Sequence, residues 1–306
     1  MRRSSAGLCK RLRHRPATAV VTALALAATL SACGSTGNSE GVTTLNFFQF
    51  KGEALQDFEQ IIDDFEAENP DIKVIQNQQP DADTAIRTLL VKNRTPDVVT
   101  LNAGGKIGQL LDAGVFYDFS QDPVVDTLNP AVQEIIADLG SHDGEVNALG
   151  YVNNADGIIY NKTMFEAAGI AEIPDTLDEL EAACVKLQAS GYQPFGEAWA
   201  DWGFLMHIFG TPFAYEGDTP ELAASLASGE KKLADLKYMD NFFRLFYLTV
   251  KYGWGKESVG YNVLTQYGDF AEGKMAMIKQ GTWLASYILS VNPDIKMGLM
   301  AVPLTN

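Results

Sequence analysis

Residues Thr44–Asn69 read TLNFFQFKGEALQDFEQIIDDFEAEN, and the fold class follows from this segment. Its first part, Thr44–Phe50, is rich in aromatic and apolar side chains, which is typical of a β-strand. From Glu53 onward, apolar residues recur three or four positions apart and predict one face of a helix: Leu55, Phe58, Ile62 and Phe65. Asn69-Pro70 ends that helix. The segment therefore predicts a strand followed directly by a helix.

The same alternation continues toward the C-terminus. Further elements are predicted in the order strand, helix, strand, helix: Ile72–Gln76, Ala85–Val91, Pro96–Leu101 and Ile107–Ala113. Alternating strands and helices form βαβ units, so we expect an α/β fold with mainly parallel sheets. Ligands of such sheets bind beyond the carboxyl ends of the strands. The segments that qualify are Phe48–Glu53 and Asn102–Gly105.

The second half of the chain repeats this pattern. A strand at Gly157–Tyr160 leads into a helix that begins near Asn161. Thr176-Leu177-Asp178-Glu179 matches a capping box, with a hydroxyl at the helix start and a carboxylate three residues later. The helix that follows places Cys184 on its apolar face, so we interpret this cysteine as a small buried hydrophobe and not as a nucleophile.

Length and composition limit the possible functions. The chain has 306 residues, 46% of them hydrophobic, which suggests about two domains with a sizeable core. The net charge of −16 argues against nucleic-acid binding, because neutralising phosphates requires clustered Lys and Arg. With only three His and three Cys, neither a multi-ligand zinc site nor a disulfide framework is expected.

The N-terminus has the parts of a secretory signal. Arg and Lys residues precede an apolar run, Ala17–Leu30, that is too short to span a bilayer, which requires about 20 helical residues. Leu30-Ser31-Ala32-Cys33 resembles the lipobox of bacterial lipoproteins, which implies cleavage after residue 32 and a diacylglycerol thioether on Cys33. The alternative is an ordinary signal peptide with a chance cysteine. Residues 33–42 are rich in Gly and Ser and are predicted to form a flexible tether.

Motifs along nearly all of the remaining chain resemble the family 1 extracellular solute-binding proteins, the carbohydrate-binding subunits of bacterial ABC importers. The most specific is Phe270–Leu284, FAEGKMAMIKQGTWL. Others occur in the family's order and spacing: Phe58–Val74, Pro96–Val99, Gln109–Phe119, Gly157–Gly169, Pro174–Leu180 and Asn292–Pro303. Each motif alone is weak, but their order and spacing together are specific.

This resemblance implies two α/β lobes of the periplasmic-binding-protein type (type II), joined by a hinge, with the ligand in the cleft between them. We expect an N-terminal lobe at 43–151, a C-terminal lobe at 152–301 and a second hinge beginning at 302–306. The family adds further chain after this hinge, so the resemblance implies that the C-terminal part, and with it the completion of the first lobe, is missing. It also implies a monomer that is lipid-anchored outside the cytoplasm.

The ligand-binding prediction rests on sugar chemistry. Aromatic rings pack on the apolar faces of a sugar, while carboxylates and amides bind its hydroxyls. Glu197, Trp199, Asp201 and Trp202 offer both kinds of group in one segment that follows a predicted short strand. The resemblance implies ligand contacts at this loop and at Trp283, in the Gly-Thr-Trp motif.

Further ligand contacts are expected from position in the family's fold. The first crossing between lobes borders the cleft, which makes Tyr151, Asn153 and Asn154 candidates. In the first lobe, the segments after the first and third strands supply weaker candidates: Gln49, Lys51, Glu53 and Asn102. The expected partners are a mono- or oligosaccharide, the permease subunits of an ABC importer and, through Cys33, the membrane.

Two other classes of function remain open. A secreted glycosidase would require a catalytic arrangement, yet the sequence has no G-x-S-x-G elbow and no recognisable metal or triad pattern, so no catalytic residue, metal or cofactor is predicted. His207, at helical spacing between Phe204 and Ile208, is interpreted as a core or cleft-edge residue. The second alternative keeps the fold but binds a non-sugar solute or serves a sensor.

Overall fold

The computed structural model describes residues 41–304, except for residue 218 and the side chains of residues 202–206. Two separate three-stranded sheets organise this part of the chain. We call the part built on the first sheet the first lobe and the part built on the second sheet the second lobe. The predicted fold class, two α/β lobes, is confirmed. The exact lobe boundaries stay a prediction.

The first lobe follows the predicted alternation of strands and helices. Its elements in chain order are β1 Thr43–Gln49, α1 Leu55–Glu68, β2 Ile72–Gln78, α2 Ala82–Val91, β3 Val98–Val99, α3 Gly105–Asp112 and α4 Pro130–Leu139. Strand β1 lies between β2 and β3 and is parallel to both. A short 3-10 helix, Gly52–Ala54, connects β1 to α1 and begins immediately beyond the carboxyl end of β1.

Neighbouring side chains of β1 face opposite sides of the first sheet, as the pleat of a strand requires. Phe48 is completely buried in a core cluster with Ile86 of α2 and Leu110 of α3. Phe47 packs its ring edge-on against Phe58 of α1, with 5.1 Å between ring centroids. Helix α1 itself has no buried residue, so its outer side leaves apolar surface open.

The second lobe is larger and more helical. Its elements in chain order are β4 Asp156–Asn161, α5 Lys162–Ala167, α6 Leu177–Ala189, α7 Trp202–Ala214, α8 Thr219–Ser228, α9 Met239–Lys251, α10 Val263–Ala271, β5 Met277–Gly281, α11 Ala285–Val291 and β6 Met297–Met300. Thr176 and Glu179 form the predicted capping box at the start of α6. Cys184 is completely buried, and burial raises the pKa of its thiol to about 12, which confirms its interpretation as a buried hydrophobe.

Strand order in the second lobe corrects the expectation of mainly parallel pairing. Strand β4 lies between β5 and β6 and is antiparallel to both, while Phe195 forms a parallel bridge with Met277 of β5. The reason is the point of entry: β4 starts where the chain arrives from the first lobe and runs away from that edge, whereas β5 and β6 run toward it. Asp156, the first residue of β4, therefore pairs with Gly281, the last residue of β5.

Candidate functional site

Several of the predicted cleft residues lie at one end of the strands in the second sheet. The carboxyl end of β5 and the amino end of β4 meet there, next to the crossing segment 151–155. Three hydrogen bonds join the two chain segments: the Ala155 N–H donates to the Thr282 hydroxyl (3.1 Å), the Thr282 N–H donates to the Ala155 carbonyl (2.9 Å), and the Thr282 hydroxyl donates to the Asn154 side-chain oxygen (3.2 Å). The first crossing is thus joined to the residue before Trp283.

Trp283 is held between several neighbours at this edge. Its ring stacks on the His207 imidazole, with 4.6 Å between centroids and 28° between planes. Its side chain packs against the core cluster that contains Tyr267 of α10. Gly281 makes room for the indole, because a Cβ there would lie 2.0 Å from the Trp283 ring and 2.4 Å from the Ala155 carbonyl. The ring remains partly exposed, as a ligand platform must.

The first lobe brings charged side chains to the same place. Lys51 and Glu53, just beyond β1, form an ion pair of 2.9 Å. The charge of Glu53 acts on the hydroxyls of Tyr151 and Tyr267, and the charge of Lys51 acts on His207. The ion pair therefore faces the second lobe across the cleft.

A second ion pair lies beneath the cleft, inside the second lobe. Lys279 of β5 is 1% exposed, and its ammonium lies 2.5 Å from the Asp156 carboxylate. Burial lowers the pKa of Lys279, while Asp156 opposes that shift. A buried ammonium requires such a partner, because desolvation without one costs several kcal/mol. The pair therefore places a fixed charge arrangement next to His207.

The His207 imidazole is neutral at neutral pH. Burial lowers its pKa, the charge of Asp156 raises it, Lys279 lowers it and Asp201 raises it, with a lowered pKa as the net result. A cavity of about 330 Å³ adjoins this residue and reaches Tyr215 and Val302. A larger cavity, about 400 Å³, surrounds Tyr160 and Lys162 at the opposite end of β4, away from all of the predicted ligand residues.

The structure thus brings together six of the twelve predicted ligand residues: Lys51, Glu53, Tyr151, Asn154, Asp201 and Trp283. Asn153 is exposed in the same crossing segment. The remaining predicted residues lie elsewhere or are not described. Asn102 is exposed beyond β3, and the Trp202 side chain and Cys33 lie outside the described residues.

Glu197 and Gln49 are buried inside the lobes, whereas Trp199 is partly exposed. Trp199 packs edge-on against Phe246, 5.1 Å between centroids, in a satellite core cluster. Glu197 is 1% exposed and accepts a hydrogen bond of 3.1 Å from the Trp254 N–H. Gln49 is completely buried and donates to the Gln76 side chain, 2.9 Å away. The role of these three residues in binding stays a prediction.

Sequence reasoning did not propose four residues that the structure adds to the site. These are Asp156, Tyr267, Lys279 and Thr282. Thr282 and Lys279 belong to the Phe270–Leu284 segment, so that motif was the available signal for both. Tyr267 carries no comparable signal, because a tyrosine on the buried face of a helix is normally part of a core. His207 lies at the cleft edge, which is one of the two positions predicted for it.

Two α/β lobes that meet at a cleft lined by an aromatic ring, carboxylates and amides define a two-lobed binding protein. The profile of the bacterial extracellular solute-binding proteins matches residues 52–302, and the chain belongs to this family. The multiple sugar-binding protein of Streptococcus mutans serotype c is 26% identical over 286 residues, which cover 90% of this chain and 66% of that protein.

Two further relatives differ in the ligand that their names give. The structure of RafE in complex with raffinose has a TM-score of 0.72 and 27% identity, covering 86% of this chain and 68% of that chain. The sn-glycerol-3-phosphate-binding periplasmic protein UgpB of Escherichia coli K12 is 25% identical over 254 residues, 74% of this chain and 54% of that protein. The chain thus spans about two thirds and about half of the lengths of the two curated relatives.

Two absences apply to the described part of the chain only. Within residues 41–217 and 219–304, no helix combines the length and apolar composition that crossing a bilayer requires. Among the same residues, no group of three or more His, Cys, Asp or Glu side chains is arranged to hold a metal ion.

Replacing the buried Glu197 by glutamine should change how stability depends on pH. Burial raises the pKa of Glu197 to about 7 from an ordinary value of 4.5. Between these two values the folded state holds a proton that the unfolded state has released, so this contribution to stability falls as pH rises through the window. Relative to the wild type, Glu197→Gln should gain about 2–3 kcal/mol of unfolding free energy between pH 5 and pH 8.

Urea unfolding at several pH values measures this difference directly. Glutamine keeps an oxygen acceptor for the Trp254 N–H and cannot ionise. The matched control is Glu166→Gln, on an exposed side chain of α5, which should leave the difference constant. A constant difference between the wild type and Glu197→Gln would show that Glu197 is ionised in the folded protein at pH 5.

Proposed function

We propose that this protein captures a neutral sugar or oligosaccharide between its two lobes and delivers it, outside the cytoplasm, to the permease subunits of an ABC importer. The observation that carries the proposal is the partly exposed Trp283 ring, fixed between the first crossing and α7 with carboxylates around it. The relatives that are named for multiple sugars and solved with raffinose support the same ligand class.

Sugar recognition needs an apolar platform and a polar rim, and the site has both. Trp283 is the platform for the C–H face of a sugar ring. Hydroxyl groups can be bound by the carboxylates of Glu53 and Asp201 and by the amide of Asn154. Because Glu53 belongs to the first lobe and Asp201 to the second, a bound sugar would bridge the lobes and stabilise a closed form.

The charges around the site favour a neutral ligand over an anionic one. Lys51 is paired with Glu53 and Lys279 with Asp156, so both ammonium groups have a carboxylate partner. Asp201 adds a further negative charge close to His207 and Tyr267. A phosphate ester would meet this arrangement unfavourably, since like charges at short range repel strongly in a partly desolvated cleft. This charge balance argues against a glycerol phosphate ligand.

The site supports binding without chemistry. His207, the one histidine near the cleft in the described chain, stacks on Trp283. The family and its relatives are binding proteins. A glycosidase would use two carboxylates on opposite sides of a glycosidic bond. A search for hydrolysed sugar after incubation tests this alternative.

The proposed route to the importer requires the protein to stay at the membrane. We propose that Cys33 becomes the lipidated N-terminus and that residues 33–42 form the tether. Two acyl chains hold a protein at a bilayer far more firmly than one. The C-terminal end of the proposed tether is followed directly by β1, the first strand of the first lobe.

Truncating Trp283 should weaken sugar binding while leaving the fold intact. Trp283→Ala removes the platform, and we expect the Kd for a bound oligosaccharide to rise at least about tenfold. Isothermal titration measures the Kd. The matched control is Trp254→Ala, which removes an equal side chain that packs against Tyr261 and should lower Tm with a Kd within about twofold of the wild type. Equal affinities of Trp283→Ala and the wild type would remove Trp283 from the site.

A ligand panel tests the proposed ligand class. We expect raffinose or maltotriose to raise Tm in proportion to RT ln(1 + [L]/Kd), and sn-glycerol 3-phosphate to leave Tm unchanged. Chromatography of the incubated sugars should show no product. Stabilisation by glycerol phosphate alone would contradict the neutral-sugar proposal, and sugar turnover would favour the glycosidase.

Replacing Cys33 should release the protein from the membrane. In a bacterial host, the wild type should sediment with membranes, require detergent for release and incorporate a fatty-acid probe. Cys33→Ser should show none of these three behaviours, because the thioether cannot form. Cys9→Ser, within the proposed signal peptide, is the matched control and should behave as the wild type. If Cys33→Ser stays with the membranes although it incorporates no fatty-acid probe, membrane attachment does not depend on a lipid at this residue, and the proposal is contradicted.

A further inference from the structure

The Trp283 indole is contacted on several sides by residues from three different elements. Its ring stacks on His207 of α7. Its side chain packs against the core cluster that contains Tyr267 of α10. Its ring edge lies against the backbone at Gly281, at the end of β5. An aromatic side chain at a partly exposed cleft edge would otherwise sample several rotamers, so these contacts point to a fixed orientation.

We propose that His207 and Tyr267 are positioning residues that hold the Trp283 indole in the single orientation in which it receives the sugar ring. This proposal rests on the proposed function, because it assigns Trp283 as the platform. Neither His207 nor Tyr267 needs to contact the ligand. Their effect on affinity comes from orienting Trp283 before the ligand arrives, which lowers the entropy cost of binding.

Tyr267 acts on the Trp283 side chain as a neutral phenol, and the interaction with Trp283 lowers its pKa against the larger effect of burial. The residue is buried, and burial raises the pKa of its hydroxyl well above the ordinary range, an effect that the charges of Glu53 and Asp201 reinforce. The hydroxyl therefore stays protonated at all physiological pH values. Removing the Tyr267 hydroxyl would remove this polar interaction with the Trp283 side chain.

His207 is itself fixed, so it can fix the ring that stacks on it. Its carbonyl oxygen accepts the Thr211 hydroxyl (2.9 Å) and lies 3.4 Å from the Lys279 ammonium. The charged groups that act on its imidazole come from four directions: Asp156 on β4, Lys279 on β5, Asp201 before α7 and Lys51 in the first lobe. Burial is the largest effect, and the net result is a lowered imidazole pKa, which leaves the ring neutral at neutral pH.

The stack also limits how a sugar can bind. Because His207 covers one face of the indole, a ligand has access only to the remaining exposed part of the ring. We therefore expect the cleft to hold one sugar ring on one face of Trp283, with no second ring on the opposite face. With His207 on one face of the indole and the sugar on the other, His207 orients the ring without contacting the ligand itself.

Binding measurements on four variants test the proposal, with raffinose and maltotriose as probes. Tyr267→Phe removes one oxygen and should raise the Kd about fivefold to tenfold. His207→Ala should raise it by a similar factor, because the stack is lost. His207→Phe is the rescue variant: it keeps a flat ring in the stack and should bind within about twofold of the wild type. Trp283→Ala tests the platform itself.

The pH dependence of tryptophan fluorescence tests the contact between His207 and Trp283 directly. A substitution that affects only the stability of the fold would not change it. A protonated imidazole quenches an adjacent indole, so wild-type emission should fall as pH drops through a value below the ordinary histidine pKa of about 6.5. This step should vanish in His207→Phe and in Trp283→Phe, and it should persist in the matched control Trp254→Phe. Circular dichroism and Tm show that each variant folds.

The outcomes separate this proposal from the proposed function. If Trp283→Ala binds as the wild type does, the platform assignment fails and both proposals fall. If Trp283→Ala loses affinity while Tyr267→Phe and His207→Ala keep it, only the positioning role is overturned. It is also overturned if the fluorescence step survives in His207→Phe. Should the alanine variant fail to fold, Tyr267→Phe and the fluorescence step decide the matter.

Discussion

The pairing of Asp156 with Gly281 at the edge of the second sheet is the constraint on which the site depends. It aligns the start of β4 with the end of β5, so the chain that arrives from the first lobe lies beside the chain that leads to Trp283. The hydrogen bonds between Ala155 and Thr282 extend the ladder by one step beyond the strands. A one-residue shift in this register would turn every side chain of β5 to the opposite face.

Electrostatics and packing act on the same few residues. Lys279 is almost completely buried, yet it tolerates burial because Asp156, two residues before its ladder partner Ile158, supplies the opposite charge. Replacing either partner alone would leave an uncompensated buried charge, which is far more costly than the pair. The Lys279 ammonium also lies 3.4 Å from the His207 carbonyl oxygen. The ion pair therefore contacts the turn of α7 that carries the stacked imidazole.

Most of the secondary structure was predictable, because it depends on neighbours within a few residues. Strand β1 begins one residue before the predicted Thr44, and the capping box at Thr176 has both of its expected hydrogen bonds. The direction of β4 was not predictable from its own sequence, since apolar strand residues pair in either direction. It follows from where the chain enters the second lobe.

The sequence by itself determined the α/β class, the family motifs and the position of Trp283 beyond a strand, all of which are properties of short segments. Only the tertiary structure decided which predicted residues meet. It brought Lys51 and Glu53 across the cleft toward Tyr267, and it buried Glu197 and Gln49 inside the lobes. The physical reason is range: contacts such as His207 on Trp283 join elements far apart in the chain, and no local pattern encodes them.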